Sequence, residues 1–304
     1  MTRLNATTIV EGPAARPASR PEPPSEIDGW ELVEAVYEGP LAQTYRARAA
    51  GTSPDRPPSY ALKLLRHTWW SQPQAVALIA REALVGQTVR HRHLIAVLSA
   101  SVLRSPYYLV TPWLEGETLA ARLARPRGIE LPDALWIARQ VAEALHALHE
   151  AGWTHGDVKP SNIFLSPGGH VTLLDLGFAR RADETGSAAD RPVMGTCRYI
   201  APEAITSVLA IDARSDVYSL GAVLFEILAG RPPFEECGLA ELVVAHRQSR
   251  PPDLRRLIPC LADDVARLVA QMLAKEPLRR PQTPAELVDR LAALEIATFA
   301  ERAL

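Results

Sequence analysis

Lysine is nearly missing from this chain: among 304 residues and 33 basic ones, only Lys63, Lys159 and Lys275 are lysine. Cysteine is as scarce. Cys197, Cys237 and Cys260 lie far apart without paired metal-ligand spacing, which excludes a disulfide framework and reads as a reducing, cytoplasmic setting. The eight histidines, His91/His93 and His146/His149 among them, have no Cys or carboxylate pattern to complete a zinc site. Neither sign of charge dominates, with a net of −2, so no long-range field draws in nucleic acid or an acidic membrane surface. The uncharged stretch from Leu94 to Leu103 is roughly half a bilayer span, and the N-terminus holds no apolar signal core. These absences predict a soluble chain with no membrane span and no nucleic-acid partner.

What is present is globular: 47% hydrophobic and 22% charged residues, in a length that suits one large domain or two lobes. Residues 1–27 carry five prolines (Pro13, Pro17, Pro21, Pro23, Pro24) among Ser, Thr and Arg, a composition too poor in large apolar residues to pack, and are expected to be a disordered tail. From Trp30 short β-prone runs follow: Leu32–Val36, Thr44–Ala47, Tyr60–Leu65, Ile95–Val102 and Tyr107–Thr111. A helix is predicted from Gln74 to Val89. Five strands and one main helix make a small β lobe. After Glu115–Gly116 the periodicity turns helical: Leu131, Leu135, Ala138, Val141, Leu145 and Leu148 share one stripe, with Gly152 as a stop. Val217–Leu228 is apolar nearly all round and reads as a buried central helix; Ala262–Leu273 and Pro284–Leu294 are amphipathic, the latter with Thr283 as N-cap. The expected class is α+β, a β-rich lobe joined to a larger helical lobe near Thr111–Gly116.

In a chain so biased to arginine, a lysine needs a local reason, because it offers a compact ammonium where arginine offers a planar fork. For Lys275 residual codon usage is explanation enough. The other two sit in motifs. His155-Gly156-Asp157-Val158-Lys159-Pro160-Ser161-Asn162 and Asp175-Leu176-Gly177 both lie between apolar runs, and Ile163–Leu165 with Val171–Leu174 reads as a hairpin between them. Such a hairpin brings Asn162 and Asp175 together at its open end. An amide and a carboxylate oxygen so placed suit Mg²⁺, which takes few carboxylates plus phosphates and water.

With these runs in view, the chain resembles a bacterial-type Ser/Thr protein kinase catalytic domain, whose catalytic loop is His-Arg-Asp followed by Asn and whose metal motif is Asp-Phe-Gly. Ala61-Leu62-Lys63, Glu82, Gly195-Thr196…Tyr199…Ala201-Pro202-Glu203, Asp216 and Arg280-Pro281 extend the match in order over residues 30–295. The resemblance implies a two-lobed kinase domain at 28–297 (lobes 28–114 and 115–297), followed by a tail at 298–304. It implies Asp157 and Lys159 as catalytic, Asn162 and Asp175 as ligands of Mg²⁺ (or Mn²⁺), and ATP contacts at Val36, Gly39, Thr44, Ala61, Lys63, Glu82, Thr111, Pro112, Leu114, Asn162 and Asp175. Lys63 would hold phosphates in an ion pair with Glu82, Asp216 would brace the catalytic loop, and Glu203 with Arg280 would form a buried structural pair. The implied partners are a protein substrate with a Ser/Thr acceptor and a regulatory protein.

Several positions depart from the family pattern. Of the three glycines expected in the phosphate-covering loop only Gly39 remains, with Tyr37 and Ala42 in the other places and Pro40 removing a donor. Slower nucleotide handling is the expectation. Gly156 replaces an arginine that grips a phosphorylated segment in many relatives, so phosphates on Thr185 or Ser187 are expected to change activity little. Gly86 stands where relatives present a large apolar side chain and is expected to loosen its helix. A rival reading follows from these losses: a pseudokinase scaffold with weak or no phosphoryl transfer. Retention of Lys63, Glu82, Asp157, Asn162 and Asp175 argues for the active enzyme.

Overall fold

The computed structural model describes residues 25–181, 184, 197–206, 211–235 and 238–302. They fall into two compact units, one formed by residues 25–79 and 98–113, the other by 80–97, 114–184 and 197–302.

The first unit is an antiparallel sheet of β1 (Glu26–Ile27), β2 (Trp30–Glu38), β3 (Ala42–Ala49), β4 (Tyr60–Leu65), β5 (Ser99–Ser101) and β6 (Tyr108–Pro112), in the order β1-β2-β3-β4-β6-β5. Ala47, Leu62, Tyr108 and Val110 pack with Ile27 on one face, as the period-2 alternation of these strands requires. The register sets Thr44 opposite Lys63 and Ala61 opposite Thr111, on the other face. Two expectations need correction here. The sheet has six strands, because Ile27 is buried and Glu26–Ile27 pairs with Trp30–Glu31, so the tail cannot extend to residue 27. The strand expected at Ile95–Val102 shrinks to Ser99–Ser101; just before it Leu94 makes an isolated parallel bridge to Leu173, and Ile95 and Val97 are buried. The first unit's initial stretch ends at Ile79, within α1 (Pro73–Thr88). Val85, Val89, Leu94 and Ile95 join the helical core, and the Ile95 amide donates to Leu173 O at 3.0 Å.

The second unit is built on α3 (Leu131–Glu150) and α5 (Ala213–Ala229). Before α3 come β7 (Glu117–Thr118) and α2 (Leu119–Leu123); between α3 and α5 come β8 (Trp153–Thr154), β9 (Ile163–Leu165), β10 (Val171–Leu173), β11 (Arg180–Arg181) and α4 (Pro202–Thr206). The predicted stripe of α3 is buried from Leu135 to Leu148, and α5 is buried on nearly every side, capped by Asp212 accepting from the Arg214 amide at 2.9 Å. α6 (Leu239–Gln248), α7 (Leu254–Leu257), α8 (Asp263–Met272) and α9 (Pro284–Arg302) complete it, and Thr283 Oγ1 accepts from the Glu286 amide at 3.1 Å as its N-cap. The expected C-terminal tail at 298–304 is corrected in part: α9 runs on to Arg302 and Thr298 is buried, because α9 lies along α3 and Glu295 accepts from Arg139 Nε at 2.8 Å. No helix among the described residues is long and apolar enough to cross a membrane.

Gly86 does not leave a hole. A Cβ built there would come within 2.5 Å of Val97 Cγ2, and the Val97 amide donates to Gly86 O at 3.0 Å. The missing side chain lets the chain after α1 pack onto the helix, which reverses the expected loosening. Lys275 also has a local reason after all. Its ammonium donates to His246 O at 2.7 Å and Ala245 O at 3.3 Å, closing the C-terminal end of α6, and sits 4.4 Å over the Phe234 ring. Burial, helped by Arg280, pulls its pKa from 10.5 down to about 8.

Candidate active site

The segment after α3 turns at Trp153–Thr154 and is then fixed from three sides. Asp216, in the first turn of α5, accepts from the His155 amide at 2.7 Å and from the Gly156 amide at 2.8 Å. Gly156 takes φ +77°, a left-handed conformation costly to most side chains. His155 is fully buried. The Asp157 amide donates to its Nδ1 at 3.2 Å, so the ring proton is on Nε2, which donates to Leu174 O at 3.0 Å. Burial, partly opposed by Asp216, keeps its pKa below 6.5, and the neutral ring is a spacer between two loops.

Asp157, Lys159 and Asn162 converge on one carboxylate oxygen. Asp157 Oδ2 is 2.7 Å from Lys159 Nζ and accepts from Asn162 Nδ2 at 2.9 Å, while the same Nδ2 donates to Asp157 O at 2.9 Å. Oδ1 is thereby the atom left for a further partner. Burial raises the Asp157 pKa above 3.8, Lys159 works against it, and the nearby Asp175 charge adds to the rise. The β9–β10 hairpin forms as the sequence implied: Ile163 pairs with Leu173, and the Leu174 amide donates to Asn162 O at 2.8 Å, so Asn162 and Asp175 meet at its open end. Asp175 has φ +58°, an outlier of the kind stored at functional sites. Since Asn162 Nδ2 is held by Asp157, the side-chain atom it can offer as a ligand is Oδ1. An amide oxygen and one carboxylate suit a hard cation that takes its other ligands from phosphates and water, and these two residues fit Mg²⁺.

In the first unit, one sheet face holds Lys63, Thr44, Ala61 and Thr111, four of the eleven nucleotide residues implied by resemblance. Val36 lies exposed at a bulge in β2, Pro112 ends β6, and Thr111 is buried with Oγ1 donating to Pro112 O at 3.3 Å. Glu82 is buried on α1, and Leu114 packs against the helical core; both belong to the second unit.

The Gly39–Ala42 turn carries a brace that the sequence did not reveal. Arg66 Nε donates to Gly39 O at 2.8 Å, Arg66 Nη2 meets Glu38 Oε1 at 2.8 Å, and Trp69 Nε1 donates to Pro40 O at 3.0 Å. The Arg66 amide also donates to Leu41 O at 3.0 Å. These partners are mainly backbone carbonyls, which any residue presents, so no motif announces them. Thr185, Ser187, Gly195, Thr196 and Cys237 lie outside the described residues.

The geometry agrees with the comparisons. The family model described as "Protein kinase domain" matches residues 30–290. The serine/threonine-protein kinase PknB of Mycobacterium leprae is 34% identical over 87% of this chain and 43% of its own length. PknB of Mycolicibacterium smegmatis is 33% identical over 86% of this chain and 42% of its length, and PrkC of Bacillus subtilis 27% identical over 85% and 39%. The chain thus spans about two fifths of the curated relatives it matches. On this match, and on the two-unit α+β architecture above, the chain belongs to the protein kinase family.

Proposed function

We propose that this chain transfers the γ-phosphoryl group of ATP to Ser and Thr hydroxyls of protein substrates, itself included, in a cytoplasmic signalling role that takes its input from a regulatory partner. The observation that carries the reading is the Asp157–Lys159–Asn162 triangle beside Asp175. With Oδ2 engaged twice, Asp157 Oδ1 is the atom that orients the acceptor hydroxyl and takes its proton. Lys159 Nζ, held next to that carboxylate, adds positive charge where negative charge builds on the transferring group. Asn162 Oδ1 and Asp175 would hold Mg²⁺, or Mn²⁺ in its place, which supplies charge neutralisation on the phosphates. Lys63 would grip the nucleotide phosphates. Val36, Gly39, Thr44, Ala61, Thr111, Pro112 and Leu114 complete the nucleotide contacts. Nothing about the triangle favours the scaffold reading. Intact-mass spectrometry of the protein incubated with Mg·ATP tests the proposal: added phosphate supports it, and ATP binding without any gain on the protein or on a Ser/Thr peptide overturns it.

The brace at Gly39–Ala42 takes the place of the absent glycines. Arg66 and Trp69 hold the carbonyls of Gly39 and Pro40 in one shape. Arg66→Gln removes two partly exposed side-chain bonds worth about 1 kcal/mol together, so KM for ATP is expected to rise roughly fivefold with kcat nearly kept. Steady-state kinetics at varied ATP check this; an unchanged KM refutes the brace.

A further inference from the structure

We propose that Glu184 is a built-in anionic strut that fixes the segment following Asp175-Leu176-Gly177 to the helix carrying Glu82, doing with a carboxylate what a phosphate would otherwise do. This rests on the kinase reading and adds its regulation.

Arg81 immediately precedes Glu82 on α1. Its guanidinium donates to the Glu184 carboxylate and, at 3.3 Å, to Ala179 O, so one side chain grips the segment at two points. The planar group lies 5.5 Å from the centre of the buried Trp153 ring, which Arg181 also approaches at 5.5 Å. Trp153 belongs to β8, whose pairing with β11 sets Arg180 opposite Thr154 and Arg181 opposite Trp153. Glu184 is itself placed by its amide, which donates to Arg181 O at 3.1 Å. The fork geometry of arginine explains why two acceptors and a ring can be served together.

The local charge balance gives the strut its meaning. Arg81 and Arg181 gather around Trp153, and Glu184 supplies the counter-charge on Arg81. Gly156 offers no side chain to recruit another anion. A phosphate nearby in sequence would have to displace a carboxylate already bound. Because Arg81 and Glu82 are consecutive on one helix, fixing the first fixes the turn that presents the second. Arg81 and Glu184 are therefore positioning residues.

The test uses the full chain, freed of phosphate by a phosphatase and checked by intact mass, as wild type, Glu184→Gln, Glu184→Asp, Arg81→Gln and the Arg81→Gln/Glu184→Gln double variant. Expected are an active dephosphorylated wild type, a roughly fivefold lower kcat in either single variant, a double variant no worse than the singles, and partial recovery with Asp. Both side chains are about a third exposed, so added salt should lower wild-type kcat and leave Arg81→Gln unaffected. A wild-type kcat in Glu184→Gln, or a wild type that works only after phosphorylation, overturns the strut. Hydrogen exchange reads the strut without turnover: the amides of Glu184 and of the second half of α1 exchange faster in Glu184→Gln, and unchanged exchange overturns it. A wild type that never transfers phosphate refutes the kinase reading instead.

Discussion

Asp157→Asn is expected to lower kcat for peptide phosphorylation by about 10²–10⁴-fold, with KM for ATP kept. The amide is nearly the same size as the carboxylate and can still accept from Asn162 Nδ2, so the loop retains its shape. What it cannot do is take a proton at the Oδ1 position. The pH dependence provides a second, independent reading. Burial holds the Asp157 pKa above 3.8, and only the ionised form accepts a proton, so wild-type kcat falls as pH drops through that raised value. The residual activity of Asp157→Asn should lack this acidic limb. A variant that keeps the limb would show that another group is the base, and a variant with wild-type kcat would remove Asp157 from the chemistry.

The parts of the site that could be read from sequence share one property: their partners are residue types at fixed spacing. The hairpin between Asn162 and Asp175 is short enough that its open end had to bring them together, and the Leu174 amide bonded to Asn162 O shows the register. The stripe of α3 and the all-round burial of α5 follow from periodicity alone. What stayed hidden depends on backbone partners or on volume. Arg66, Trp69 and Lys275 are held by carbonyls, which carry no residue identity. The role of Gly86 depends on Val97, a residue further along the chain that fills the space the glycine leaves. Glu26–Ile27 is too short a strand to show a period, and the apolar run from Leu94 to Val97 is buried and bridges Leu173 at Leu94 alone, where the apolar pattern suggested a strand continuous with Ser99–Ser101. The sharpest contrast is between Lys159 and Lys275. Both are lysines in an arginine-rich chain, and only the one lying in a motif could be read in advance.

Arg280→Ala is expected to destabilise the folded protein by about 3–5 kcal/mol, because it leaves the Glu203 carboxylate buried without its counter-charge. The pair is closed to solvent, with side-chain exposures of 0% and 1%. Arg280 Nη1 meets Glu203 Oε1 at 2.6 Å and Nη2 meets Oε2 at 2.8 Å. The remaining guanidinium donors reach Ala274 O at 2.8 Å, Arg214 O at 2.8 Å and Lys275 O at 3.1 Å, so every N–H of the fork is used. Ser215 Oγ donates to Glu203 Oε1 at 2.7 Å, and the guanidinium lies 4.9 Å from the Tyr218 ring centre. These contacts tie α4 to α5 and to the turn before α9, which explains why lysine is no substitute: Arg280→Lys keeps the charge, loses the fork, and should fall between wild type and Ala in a urea titration. Burial by itself would raise the Glu203 pKa, but the Arg280 bonds and charge bring it below 4.5. The sign follows directly. A carboxyl whose folded pKa lies below its unfolded one contributes stability above the unfolded value and loses it as pH falls through the folded value. Wild type should therefore lose stability progressively below about pH 4.5. In Glu203→Gln that share of the acid sensitivity should vanish, although the protein is weaker at neutral pH. A stability difference between wild type and Glu203→Gln that stays constant from neutral pH into acid would show that the pair carries no pH-linked stability, and a fully stable Arg280→Ala would show that it carries none at all.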